Sequence, residues 1–213
     1  MTNAAISRRE QRRVQHHELS RNQLLDAAEE VFGTKGYHDA TLKEVAERAE
    51  FSVGSVYSFF AGKDDLFLQL FLRRGEAFLA GLREVVAVDR PPMAQIRAMV
   101  EFEVGFFRAH PHFGRLYLRT ANLSRPLPGD VVDASGRAVF RDTIGVQTEV
   151  LAAAQRAGAV RPGDPEVLGG LLSGLVLAFV AVDPMVVSGG ADATERLSVD
   201  DLAAMVTGAL GVR

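Results

Sequence analysis

Apolar residues along this chain return at every third or fourth position, and no stretch alternates apolar with polar as a half-buried strand would. Ser20 with Gln23 has the spacing of a capping box and Leu19 with Leu24 that of a hydrophobic staple, so a helix is predicted from residue 21. Its stripe is Leu24, Leu25, Ala28, Val31 and Phe32, and Gly36 stops it. Thr41 with Glu44 repeats the capping pattern ahead of a short helix carrying Val45, Ala46 and Ala49. Ser52 is a natural N-cap for a third helix over about 53 to 60. A longer amphipathic helix follows from 63 to about 86, punctuated by Pro91-Pro92. Further helices are predicted over roughly 92 to 109, 111 to 121, 131 to 157, 164 to 182 and 199 to 211, separated by HPH, RPLPG, RPGDP and VSGGAD. The expected architecture is all-α: an N-terminal three-helix unit feeding a larger helical bundle.

The segment 167 to 182, VLGGLLSGLVLAFVAV, carries no charge. It is shorter than the roughly 20 residues a membrane-spanning helix needs, and Asp183-Pro184 ends it, so a buried helix is predicted. Gly170 and Gly174 stand four apart on it and permit close backbone approach, within one chain or between two. With Lys+Arg 24 against Asp+Glu 27 the formal net charge is −3, which names no partner. Cysteine is absent, and the polar start lacks a signal-peptide core, so the expected location is the cytoplasm, without membrane association.

The stretch FSVGSVYSFFAGKDDL, residues 51 to 66, is an unusual mixture for a helix that only packs. Two short helices, 41 to 49 and 53 to 60, joined by about three residues, have the dimensions of a helix-turn-helix. Val45, Phe51 and Val56 can form its miniature core around the small Ala46, leaving Val53, Gly54, Ser55 and Ser58 to face outward. Small and hydroxyl side chains at the start of such a helix can reach base edges of double-stranded DNA. Tyr57 can offer its hydroxyl to a phosphate, Lys63 adds charge at the next helix start, and Thr41, Lys43 and Ser52 flank the same side. Five arginines, Arg8, Arg9, Arg12, Arg13 and Arg21, face only Glu10 and Glu18 in the first 23 residues. Residues 1 to 19 are therefore expected as a flexible basic arm, beside phosphates or simply solvated.

ATLKEVAERAEFSVGSVYSFFAGKDDLF resembles the DNA-binding signature of the TetR family of bacterial transcriptional repressors. The matching features are the Ala-Thr start, the Val-Ala pair, a Ser-x-Gly-x-x-Tyr core, the following Phe and a Lys before acidic residues. The resemblance covers residues 20 to 67; beyond it, AQRAGAVRPGDPEVLGGLLSGLVLAF looks like the family's penultimate helix junction and dimer helix. It implies a DNA-binding domain over 20 to 62 and a ligand-binding and dimerisation domain over 63 to 213. It also implies a homodimer on a palindromic operator, and an effector that moves the helix starting at Lys63. Gly170, Leu171, Gly174, Leu175 and Ala178 become the expected dimer contact. Three departures stand out: Glu50 where the turn commonly has glycine, Phe59 at a position where His or Tyr often touches phosphate, and Ala61 for a polar or basic residue. Glu50 would need a left-handed conformation costing about 1 kcal/mol.

The chain has no GxSxG, Walker loop, HExxH or dinucleotide fingerprint, so no catalytic residue, metal site or cofactor is assigned. His110-Pro111-His112 reads as a turn and cap. Met99, Phe102, Phe106, Phe107, Phe113, Tyr117, Phe140, Ile144 and Phe179 supply enough large side chains for an apolar effector pocket, with Arg119 and Arg141 near enough for an acidic head. A partner-binding or membrane-surface helical module, and a small-molecule enzyme, remain open alternatives.

Overall fold

The computed structural model describes residues 7–120, 134–189 and 198–212. The RPLPG break, the second half of the VSGGAD break, the first three residues of the helix expected over 131 to 157 and residues 1–6 of the expected arm lie outside them. The described helices are α1 (Arg8–Lys35), α2 (Leu42–Arg48), α3 (Val53–Phe59), α4 (Lys63–Ala87), α5 (Pro92–Ala109), α6 (Pro111–Thr120), α7 (Ala134–Arg156), α8 (Pro165–Val180), α9 (Pro184–Val187) and α10 (Val199–Leu210). The chain is all-α; among the described residues the extended pairing is limited to one bridge, Val160 with Gly211. The four-residue α9 was not expected, being too short to show a period.

The start of α1 corrects the sequence reading. Residues 8–19 are helical, and Ser20 lies inside the helix rather than capping it. Ser7 is the cap, accepting a hydrogen bond from the Glu10 amide, so the Ser-x-x-Glu pattern sits one apolar stripe too early to be noticed. Arg, Gln, Glu and Leu are good helix formers, and no proline lies between Ser7 and Gly36. At the other end Gly36, with φ 82°, stops the helix as expected.

Two apolar cores form, and they share helices. The first gathers Leu24, Leu25, Phe32, Val45, Val56, Phe60, Leu66 and Phe67; the second gathers Leu82, Ile96, Met99, Val104, Leu151, Leu172 and Val206. Helix α4 contributes its first turns to one and its last to the other, while α6 sends Leu116 into the first and Phe113 into the second. Between the cores α1 and α6 lie backbone to backbone: a Cβ on Gly33 would fall 2.4 Å from the His112 carbonyl oxygen. The buried Glu29 of α1 is held by Arg74 of α4 at 2.7 Å, with Arg73 at 3.5 Å and also 2.9 Å from Asp26.

The turn between α2 and α3 closes as a Schellman motif. Phe51 N–H donates to the Ala46 carbonyl at 2.8 Å and Glu50 N–H to that of Glu47 at 3.2 Å. Glu50 occupies the left-handed position with φ 60°, which glycine fills without a Cβ penalty. Glu50→Gly is expected to stabilise the protein by about 1 kcal/mol, read as a higher urea midpoint at unchanged slope. A lower midpoint would mean that the Glu50 side chain holds the turn.

Candidate nucleic-acid interface and effector cavity

The reading head is assembled by local caps. Thr41 and Glu44 form a reciprocal capping box at α2, and Ser52 caps α3 by accepting from Ser55 N–H at 3.0 Å. Val56 turns inward and is fully buried, which presents the opposite side of α3 to solvent. Val53, Gly54, Tyr57 and Ser58 are exposed there, Tyr57 at 59%. The hydroxyls are already engaged: Ser52 and Ser55 oxygens lie 2.8 Å apart, and Ser58 donates to the Ser55 carbonyl at 2.6 Å. Lys43 is exposed, 3.7 Å from Glu47. Lys63 donates to the His38 carbonyl at 3.0 Å and lies over the Tyr37 ring, fastening the α1–α2 loop to the start of α4. Burial and the adjacent Asp64 carboxylate push the Tyr37 phenol up to about 12. Phe59 packs against His17 of α1, 4.7 Å between ring centres, so the basic turns of α1 touch the reading helix.

Gly54 is informative because the protein does not require it. Its φ is not positive, and an added Cβ would meet only Ser52 Oγ at 3.7 Å, an ordinary contact. Glycine costs a helix about 1 kcal/mol relative to alanine, and no contact within the described residues accounts for it here.

Behind the head lies a cavity of about 680 Å³ lined by α4, α5, α6, α7 and α8. Of the expected residues, Phe107, Phe113, Tyr117, Phe140 and Ile144 line it. Met99, Phe102, Phe106 and Phe179 do not. Met99 is fully buried in the core, Phe102 covers Gly81, where a Cβ would fall 2.6 Å from its ring, Phe106 packs on His110, and Phe179 lies under Arg108. Arg119 and Arg141 are likewise absent from the wall, whose basic side chain is Arg137. Sequence reading missed the α4 wall, Leu68, Phe71, Leu72 and Phe78, and the polar group Glu103, Gln147 and Ser173.

A second apolar surface runs along α8 and α10. Leu171 is 61% exposed and Leu175 41%, with Gly170, Gly174 and Ala178 beside them, and Met205 of α10 is 49% exposed. Added Cβ atoms at Gly170, Gly174 and Gly208 would meet nothing within 4 Å, so these glycines serve no close packing within the described chain. No helix among the described residues is long and apolar enough to cross a membrane.

A family model for bacterial regulatory proteins of the tetR family matches residues 24–70, the span of the reading head. Over those residues the chain is a tetR-family segment. It is similar to the HTH-type transcriptional activator FasR of Mycolicibacterium smegmatis, 32% identical over 106 residues, 50% of this chain and 48% of that protein. It is also similar to the fatty acid metabolism regulator protein of Bacillus subtilis, 32% identical over 62 residues, 29% of this chain and 32% of that one. The matched part thus spans half or less of these relatives. Among solved structures, FadR from Bacillus subtilis in complex with stearoyl-CoA shares the fold, with TM-score 0.68 and 17% identity over 88% of this chain and 95% of that one.

The cavity's electrostatics centre on Glu103. It is 3% exposed, and burial pushes its carboxyl up to about 7, against the lowering effect of the Gln147 hydrogen bond. The folded-state value lies above the ordinary 4.5, so the sign is destabilising at high pH. Stability is unaffected below about 4.5, falls as pH rises from there to about 7, and the loss is complete above. Glu103→Gln should therefore raise the stability of the ligand-free protein at pH 8 by roughly 1–3 kcal/mol and leave it unchanged near pH 4.5. Urea unfolding at the two pH values is the measurement, and an equal effect at both would exclude ionisation as the cause.

Proposed function

We propose that this protein is a ligand-responsive transcriptional repressor, without a catalytic step, that binds a palindromic operator as a homodimer in the cytoplasm and is released by a small lipophilic effector. One observation carries the reading: α4 begins in the core of the reading head, through Leu66 and Phe67, and continues as a wall of the cavity through Phe71, Leu72 and Phe78. A ligand that displaces this wall changes the setting of the head. Residues 20–62 act as the DNA-binding unit and 63–213 as the ligand-binding and dimerisation unit.

In this account α3 enters the major groove, with Val53, Gly54, Ser55 and Ser58 against the bases. Thr41, Lys43, Ser52, Tyr57 and Lys63 stand at the phosphates, joined by the arginines of the first turns of α1. The exposed α8 and α10 face, around Gly170, Leu171, Gly174, Leu175 and Ala178, pairs with its symmetry mate. That pairing sets two heads about 34 Å apart or a multiple of it. The apolar walls and the stearoyl-CoA of the Bacillus subtilis FadR structure support a lipophilic effector. The same exposed α8 face is what would favour a partner-binding or membrane-surface module, which predicts association with liposomes or another protein instead of specific DNA binding.

Two variants test the proposal after selection of bound duplexes from a random pool. Gly54→Ala is expected to keep or raise the melting temperature while weakening operator binding roughly 10-fold or more, because the methyl group intrudes where the base edges approach. Leu171→Glu replaces an exposed side chain, so the protomer should stay folded while sedimentation velocity shifts from dimer to monomer and operator affinity drops. Normal operator binding by Gly54→Ala overturns the docking, and a persistent dimer with Leu171→Glu moves the interface elsewhere.

A further inference from the structure

The cavity is apolar except at one inner point. Its α4 wall contributes no titratable side chain, yet Glu103 of α5 stands opposite, buried. Among the described residues its one hydrogen-bond partner is Gln147 of α7, whose amide donates to Oε1 at 2.7 Å. Gln147 in turn accepts from the Ser173 hydroxyl of α8 at 3.1 Å. Donation therefore runs from Ser173 through Gln147 to Glu103 and finishes on an acceptor. The other ionisable groups of the wall are Tyr117 of α6, Arg137 of α7 and Glu166 of α8, the last two at exposed positions. Tyr117 is itself raised by burial and by Glu103, so it stays a neutral phenol. A buried carboxylate without a cation is expensive, and the group missing from this site is a positive donor.

We propose that the effector is an amphipathic cation: an apolar body lying in the cavity and carrying one protonated nitrogen that donates to the second oxygen of Glu103. This rests on the cavity being the effector site. The rings of Phe71, Phe78, Phe107 and Phe140 receive the apolar body, and aromatic faces also tolerate a cation. An anionic amphiphile would meet Glu103 as a like charge, or would require it to keep its proton. Because Glu103 titrates at about 7, a proton competes with the ligand. Affinity for a cation therefore rises as pH increases through that value and levels off above it, while affinity for an anion falls.

The probes are dodecylammonium and dodecanoate, equal in chain length and opposite in charge. Each is titrated calorimetrically into the full-length protein below its micelle-forming concentration, at about pH 6 and pH 8. At pH 8 dodecylammonium should bind ~10-fold tighter than dodecanoate or better, the margin should shrink at pH 6, and Glu103→Gln should abolish it. Should Glu103→Gln fail to fold, the pH dependence of the wild-type preference decides. A preference for dodecanoate at pH 8, or a cation preference that is insensitive to pH and survives Glu103→Gln, overturns the proposal. Ile144→Trp, which narrows the cavity, separates this from failure of the site itself. If Ile144→Trp excludes both probes while dodecanoate wins in the wild type, only the charge assignment falls. If both probes bind Ile144→Trp as well as wild type, or neither binds the wild-type protein, the cavity is not the effector site and both readings fall.

Discussion

The contact of Gly33 with the His112 backbone determines how the two halves of this molecule sit on one another. Helices with ordinary side chains at their crossing keep axes 8–10 Å apart; a glycine there lets α1 settle into the backbone of α6. The consequence is geometric rather than a matter of buried area. Phe113 and Tyr117 leave α6 toward the cavity while Leu116 leaves it toward the core of the reading head. The Glu29, Arg73 and Arg74 group adds a charged clamp on the neighbouring crossing of α1 with α4. Removing one member of such a buried set leaves an uncompensated charge, so the clamp resists piecemeal change.

Two routes thus lead from cavity to head, α4 and α6, and they meet on α1. The cavity is closed by side chains that can shift rotamer, whereas the crossing at Gly33 is backbone on backbone and cannot compress. In the proposed function, a ligand that widens the space between α4 and α6 would move α1 as a rigid body instead of being absorbed locally. The packing is continuous across residue 63, since α4 and α6 contribute to both cores.

What was legible in the chain was whatever is specified over three or four residues. The Thr41 and Glu44 box, the Ser52 cap and the left-handed Glu50 all follow from short patterns, and the helices from 63 onward are bounded by Pro and Gly. The first turns of α1 were misread because they carry no apolar stripe, and only intrinsic propensity and the Ser7 cap make them helical. Cavity residues were partly legible. Phe107, Phe113 and Tyr117 declare their size, but whether a large side chain faces a void or a neighbour depends on helices distant in sequence, as Phe102 against Gly81 demonstrates. Glu103 left a readable signal: it lies four residues after Met99 and four before Phe107, a charge in an apolar register.

Length gives α1 a mechanical property that its contacts alone do not suggest. From Gly33 to Arg8 the helix extends about 38 Å at the ordinary rise per residue. A pivot of about 5° at the α6 crossing would sweep the buried Leu24 through about 1 Å and the arginine-bearing end through about 3 Å. That distance is close to one base-pair step of a DNA duplex, ~3.4 Å per nucleotide along the axis. In the proposed function the 28-residue helix would act as a pointer, turning a small rotation beside Gly33 into a one-step displacement at Arg8, Arg9, Arg12 and Arg13.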